Sequence, residues 1–424
     1  MSPTKTRHKV ILWAVLCSII TYIDRVCIAQ AKPLILKDLG LSDAQWGVVL
    51  SAFVWAYAGF EVPTGWLGDK FGARQTLTRV VVWWSAFTVA TAAAWSFFSL
   101  VVIRFFFGIG EAGCFPNITK AFTTWLPQRE RVRAQGINWM SARWGGAFTP
   151  LLVGTVLGYV DWRTAFVLFG ALGFVWAIFF HRWFRDDPKD HPGVNAAELQ
   201  IIRDGATAEP GHHEMPWSKM MGSVSVWLLW LQYFCISYSW YFYITWLPDY
   251  MAKNRGFDFR KDAWLNGMPL FFGGIGCFIG GLLLARLSKA FQSDNKARAF
   301  MGRLGAVVAA VCLIAAVKVE NPMLALFLIS FASFGNDLTM PAAWAAAMNI
   351  GGRYAGTLSG SMNMMGNFGG GFSSMAFPHI RDSLGIELVF YVSAGAYVIS
   401  FLAWTFLDSS RAIDAVGGVE SHSR

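Results

Sequence analysis

Twelve apolar stretches, each about 20 residues and so long enough to cross a bilayer, constrain this chain more than any other feature. They centre near Ile19, Trp55, Phe87, Gly108, Gly145, Gly173, Gln232, Phe272, Val308, Ser333, Gly366 and Tyr397. Hydrocarbon offers the backbone no hydrogen-bond partner, so spanning segments are restricted to helices and closed barrels, and runs of this length are helical. With 55% hydrophobic and 14% charged residues in 424, the chain is too apolar for a soluble protein. The expected fold is all-α: twelve transmembrane helices in two pseudo-symmetric six-helix bundles.

The formal net charge of +9 would suggest nucleic acid in a soluble protein. Here the Lys and Arg residues cluster in the N-terminus, the C-terminus and the even-numbered loops, which argues against nucleic acid and puts both termini in the cytoplasm. The first apolar run, Val10 to Ile23, has no small-residue cleavage site after it and continues into Asp24 and Arg25, so it reads as a retained span. Cys17, Cys27, Cys114, Cys235, Cys277 and Cys312 stand singly in apolar segments without CxxC spacing, implying neither a metal site nor a disulfide framework. No GxSxG, HExxH or phosphate-binding glycine loop stands in a suitable context, so neither an enzyme nor a cofactor is expected.

The chain divides into a bundle over 1–183, a linker over 184–222, a second bundle over 223–408 and a tail over 409–424. The linker is rich in Asp, Pro, His and Gly, its AAELQIIRDG stretch suggests a short amphipathic helix, and its His212–His213 pair reads as solvated linker. GWLGDKFGAR after the second span is echoed weakly by GLLLARLSKA after the eighth, and DWRTAFVLFGALGF by IELVFYVSAGAYV. Offsets of half the chain are the mark of a parallel repeat, which places a substrate site at mid-membrane between the halves.

Several charges lie inside these spans. Arg104 and Glu111 are seven residues apart, on one helical face and about 10 Å apart along the axis. An ionised side chain at the bilayer centre costs about 2.5 kcal/mol or more, so the pair is either a functional site or a salt bridge between helices, and both readings stand. Asp24 and Arg25 are adjacent and point about 100° apart, so one can face a cavity while the other turns to a neighbouring helix. A carboxylate held by an arginine accepts a proton more readily once an anion takes that arginine, which couples the binding of proton and anion.

Gly65, Asp69, Lys70, Gly72 and Arg74, in GWLGDKFGAR, resemble the signature loop of the major facilitator superfamily, which latches one conformational state and binds no substrate. The aspartate of such a loop can accept hydrogen bonds from the N-terminus of a neighbouring helix. Ala285 takes the aspartate position in the second half, so the latch is expected to be one-sided. Within that superfamily, Thr21 to Arg25, Arg104 with Gly110 to Gly113 and Pro116, Trp125 to Pro127 with Glu130 and Arg131, Tyr241 to Tyr243, Trp246 to Pro248, and Ser359 to Asn363 resemble the anion:cation symporter family. The resemblance covers essentially the whole chain. It implies a monomeric inner-membrane transporter that imports an organic anion, foremost a sugar acid such as a hexuronate, aldonate or aldarate, with protons. By the same resemblance Asp24 and Glu111 carry protons with Arg25 and Arg104 as partners, and Tyr57 offers substrate a hydroxyl; as a residue in a span Tyr57 could equally be a packed core tyrosine. Arg104 or Arg25 is the expected carboxylate clamp, because a guanidinium fork suits bidentate recognition. Asn363 and Asn367, one turn apart, either read sugar hydroxyls or bond between helices; Tyr241 either stacks on substrate or packs.

Three charges depart from the family pattern: Arg143 in span five, Glu61 one turn beyond Tyr57, and Asp337 in span ten. Arg143 is either a second clamp, for a more heavily charged anion, or an ion-pair partner of Asp337 or Glu61. A facilitator or exchanger, and a non-transporting membrane sensor of the same fold, are the competing functions.

Overall fold

The computed structural model describes residues 2–203, 216–256, 265 and 267–413; His212, His213 and the tail from 414 onward lie outside the described residues. Among the described residues there is no strand. In chain order the first half consists of α1 (Thr6–Leu39), α2 (Asp43–Phe71), α3 (Ala73–Thr91), α4 (Phe97–Glu111), α5 (Cys114–Trp125), α6 (Gln128–Leu157) and α7 (Trp162–Trp183). Two short helices, α8 (Ala196–Arg203) and α9 (Trp217–Gly222), come next. The second half consists of α10 (Val224–Tyr241), α11 (Leu247–Arg255), α12 (Met268–Ala290), α13 (Asp294–Lys318), α14 (Pro322–Leu338), α15 (Met340–Gly351), α16 (Ala355–Leu384) and α17 (Ile386–Phe406).

Among the described residues, eight stretches are long and apolar enough to cross a membrane, and one of them, Pro322–Leu384, contains both α14–α15 and α16. With α3, α6 and α10–α11, the described residues make twelve passes. Helix starts obey local chemistry: Ser42, Ser96, Asp161, Ser293 and Asn321 each accept a backbone N–H three residues on, satisfying donors that a helix leaves open.

Among the described residues, three passes are interrupted. The fourth breaks at Ala112 and Gly113, between α4 and α5, where Asn117 donates to the carbonyls of Gly113 (2.7 Å) and Thr64 (3.1 Å). The tenth breaks at Thr339, so Asp337 sits at the end of α14 rather than within an unbroken helix. The seventh contains a π-helical turn, Phe242–Trp246. Breaks of this kind free backbone groups at depth and persist only where protein buries them.

The halves meet through small residues. A Cβ on Gly136 of α6 would press on the Cys277 carbonyl (2.7 Å) and the Gly281 Cα (3.0 Å) of α12. A Cβ on Gly65 of α2 would run into the carbonyl of Gly356 on α16. Close backbone approach of this kind is what small residues allow at membrane helix interfaces.

Candidate functional site

A cavity of about 50 Å³ lies between the halves, lined from α1, α2, α5 and α6 on one side and from α10, α14, α15 and α16 on the other. Two arginines, Arg25 and Arg143, belong to its lining, together with an aromatic wall that includes Tyr57, Trp139, Tyr233, Trp240 and Tyr241. Asn336, Asn363 and Asn367 complete the polar part.

Arg25 and Asp24 part company as adjacent helical residues must. Arg25 turns to the cavity, its guanidinium 4.7 Å from the Tyr57 ring centre, and its Nε donates to Glu111 Oε1 at 3.0 Å. Asp24 turns to α3, where Oδ2 accepts from Trp84 Nε1 at 3.0 Å. Glu111, fully buried at the end of α4, stands behind Arg25. Arg104, 2% exposed, lies outside the cavity lining, its guanidinium 4.3 Å from the Phe107 ring centre and 4.9 Å from that of Phe53. Of the two candidate clamps, then, Arg25 is the one at the cavity.

The departing charges have separate partners. Arg143 makes a two-pronged pair with Asp337, Nε to Oδ2 at 2.6 Å and Nη2 to Oδ1 at 2.9 Å, and its Nη1 donates to the Tyr22 hydroxyl at 3.1 Å. Glu61 on α2 accepts instead from the amides of Asn363 and Asn367 on α16, the latter at 3.1 Å. The remaining bonds of those amides are also internal: Asn363 donates to Tyr57 (3.3 Å), and Asn363 and Asn367 accept from Tyr233 (3.4 Å) and Tyr241 (3.1 Å). Trp84 as the Asp24 partner and Tyr22 as the Arg143 partner carried no signal in sequence beyond being aromatic residues in a span.

The Gly65–Arg74 motif, expected from sequence as a loop, is helical except at Gly72: α2 runs through Phe71 and α3 starts at Ala73, and this junction lies on a different face, with the chain's N-terminus and the linker. Asp69 accepts from the backbone N–H groups of Gly356 (3.1 Å) and Thr357 (2.7 Å) and from the Thr357 hydroxyl (2.7 Å), in the first turn of α16, while Lys120 Nζ stands 3.2 Å from its carboxylate. A carboxylate there satisfies open N–H groups and meets the positive end of the helix dipole. Gly72 has φ of 86°, and a Cβ on it would press on the Asp186 carboxylate, which accepts from the Arg74 N–H at 2.9 Å. Burial pushes the Asp186 carboxyl above its ordinary range against the pull of those backbone donors. Lys70 lies 4.7 Å from the Trp66 ring centre. The same face holds Arg7 against Glu130 (2.9 Å) and Glu198 (3.1 Å), which ties the N-terminus to α6 and α8.

The sequence profile of the Major Facilitator Superfamily matches residues 14–374. The chain belongs to that superfamily. Major facilitator proteins are membrane transporters, and the relatives of this one carry anions. It is 36% identical over 417 residues to the probable sulfoacetate transporter SauU of Cupriavidus necator, covering 97% of this chain and 96% of the relative. It is 27% identical to the D-galactonate transporter of Escherichia coli, with 93% and 94% covered. Among solved structures, the major facilitator proton:xylose symporter XylE superposes with a TM-score of 0.76 at 15% identity, over 95% of this chain and 96% of that one. Twelve passes in this superfamily's fold make the protein a multi-pass transporter in a lipid bilayer.

Proposed function

We propose that this protein is a proton-coupled importer of small organic anions, working by alternating access of the 1–183 and 223–408 bundles around the central cavity. The observation that carries this reading is Arg25. It faces the cavity with a guanidinium whose Nη2 has no partner, while Glu111 holds the same group from behind. An anion arriving at Arg25 competes with Glu111, and a released Glu111 takes a proton, so that substrate and proton load together. Asp24, one helical step away against Trp84, is the second carboxylate of the relay, and Arg104 holds the charge balance between them. Tyr57 positions the Arg25 guanidinium, and Asp69 on α2, bonded to the first turn of α16, keeps one face closed. In this reading both termini and the α2–α3 junction are cytoplasmic, the membrane is a bacterial inner membrane, and the monomer is the working unit.

The substrate that fits best is a compact acid of the sulfoacetate type. A cavity of about 50 Å³ holds only a few water-sized groups, and the amides of Asn363 and Asn367 are engaged by Glu61, Tyr57, Tyr233 and Tyr241 rather than free for hydroxyls. A sugar acid is the second reading, favoured by the galactonate, hexuronate and glucarate transporters among the relatives. Uptake of labelled sulfoacetate and galactonate into proteoliposomes, with and without an imposed inward proton gradient, tests both. Accumulation above equilibrium that collapses with a protonophore is expected for the true substrate. Equilibration indifferent to the gradient would identify a facilitator instead.

A further inference from the structure

The charges around the cavity come in two sets of the same design. Glu111 ends α4 and Asp337 lies one residue from the end of α14, at breaks in the fourth and tenth passes, which correspond under the half-chain repeat. Each carboxylate lies fully buried outside the cavity lining, and each holds a guanidinium that belongs to the lining, Glu111 with Arg25 and Asp337 with Arg143. Among the described residues, no carboxylate stands in the lining. The surface presented to a ligand is therefore doubly cationic, with its neutralising anions on the far side of the arginines.

The unmet hydrogen-bonding capacity of that lining has one sign. Its buried side-chain atoms without a partner are Arg25 Nη2, Trp139 Nε1 and Trp240 Nε1, and all three are donors. The two indoles flank the second arginine: the Arg143 guanidinium lies 4.2 Å from the Trp240 ring centre and 5.4 Å from that of Trp139. Arg143 spends one N–H each from Nε, Nη1 and Nη2 on Asp337 and Tyr22, which leaves two of its five donors. A group rich in acceptor oxygens and lacking donors, a sulfonate or a second carboxylate, satisfies such a set; a neutral hydroxyl can also accept from it, but brings no charge to a guanidinium and adds a donor for which the lining, among the described residues, has no unpaired buried side-chain acceptor.

We propose that Arg143, with Trp139 and Trp240, is a second anion subsite, and that the transported substrate is a dianion bridging Arg25 and Arg143. The inference rests on the cavity being an organic-anion site. Dianion binding has a mechanical corollary. Arg143 on α6 and Asp337 on α14 tie the two halves together across the cavity, so the second anionic group competes with Asp337 for the guanidinium and loosens that tie as it binds. A singly charged acid fills Arg25 alone and leaves the tie intact.

Calorimetric binding to the purified full-length protein separates the possibilities, with malonate and sulfoacetate as dianions and glycolate and methanesulfonate as monoanions. The wild type is expected to bind the dianions at least about tenfold more tightly. The double variant Arg143→Gln with Asp337→Asn removes both charges of the pair, leaves no unpaired ion to compromise folding, and is expected to keep monoanion binding within about twofold while losing the preference for dianions. Asp337→Asn alone removes the competitor and should tighten dianion binding. An unchanged dianion-to-monoanion ratio in the double variant, or equal weakening of both classes, would overturn the second subsite and leave the anion transporter standing. Wild-type protein that binds none of the four overturns the second subsite together with the compact-acid substrate, and leaves the sugar-acid reading to the uptake assay.

Discussion

The two halves of the molecule carry their buried charge very unequally. At mid-membrane the first half contributes Asp24, Arg25, Glu61, Arg104, Glu111 and Arg143, whereas among the described residues the second half contributes Asp337 and otherwise tyrosines, tryptophans and amides. One repeat unit carries most of that buried charge and the other, among the described residues, contributes a single carboxylate, Asp337. The difference shows that a shared fold sets where a site lies, between the halves, without requiring both halves to do its chemistry.

The sharpest way to break that comparison is to remove one cavity residue from each half, a charged one from the first and a neutral one from the second. Arg25→Ala should reduce substrate binding more than about 100-fold, because it deletes the proposed clamp, and it should separately lower stability by about 3–5 kcal/mol because Glu111 is left buried without its partner. Tyr241→Phe on the other side deletes one hydrogen bond to Asn367, worth about 1 kcal/mol, and should cost only a few-fold. Equal losses in the two variants, measured as substrate-induced thermal stabilisation, would end the division of labour. Glu111→Gln comes next: it should abolish accumulation driven by a proton gradient while exchange across the membrane continues. Accumulation that persists would move proton coupling to Asp24 alone.

Asp69→Asn probes the boundary between the halves away from the cavity. Loss of a charged helix cap costs about 1–2 kcal/mol, which shifts the closed-to-open ratio about five- to thirtyfold. Labelling rates of single cysteines placed along α5 and α16 would register it. The smallest effect is expected at His191 in the linker, packed edge-on against Trp125 and Trp183 and accepting the Gly193 N–H at 3.0 Å. Burial, together with Arg185 and Lys9, holds its imidazole below the ordinary histidine range. Its contribution is thus fully present above about pH 6.5 and is lost as pH falls below that value. Thermal stability should soften over that window in the wild type and less in His191→Gln.

The passes and their buried charges were legible in sequence because an apolar run and a charge within it are both local facts. Partner choice was not, because it depends on how two helices are rotated against each other. Arg143 could have met Asp337 or Glu61 by composition, and only the packing of α6 against the end of α14 selects Asp337, while Glu61 faces α16. Arg104 shares a face with Glu111, yet that regularity cannot register the rings of Phe53 and Phe107 that enclose it outside the cavity lining. The interruptions after Glu111 and Leu338 were equally silent, since hydropathy counts side chains and a break in the backbone leaves that count unchanged. The stretch from Gly65 to Arg74 was legible as a motif whose aspartate can cap a helix; that the capped residues are Gly356 and Thr357 of α16 was not.

The start of α16 has no side-chain cap from its own leading residue, Tyr354; its open N–H groups are satisfied by Asp69, a residue from the other half of the chain. A helix finished off by a borrowed residue is whole only while the lender is in place. When the halves separate at that face, the first turn of α16 loses its acceptor and is free to fray, and Asn363 lies only six residues, about 9 Å, further along the same rod. The integrity of one helical turn thus becomes a message, written at the closed face and read by the amides that line the cavity.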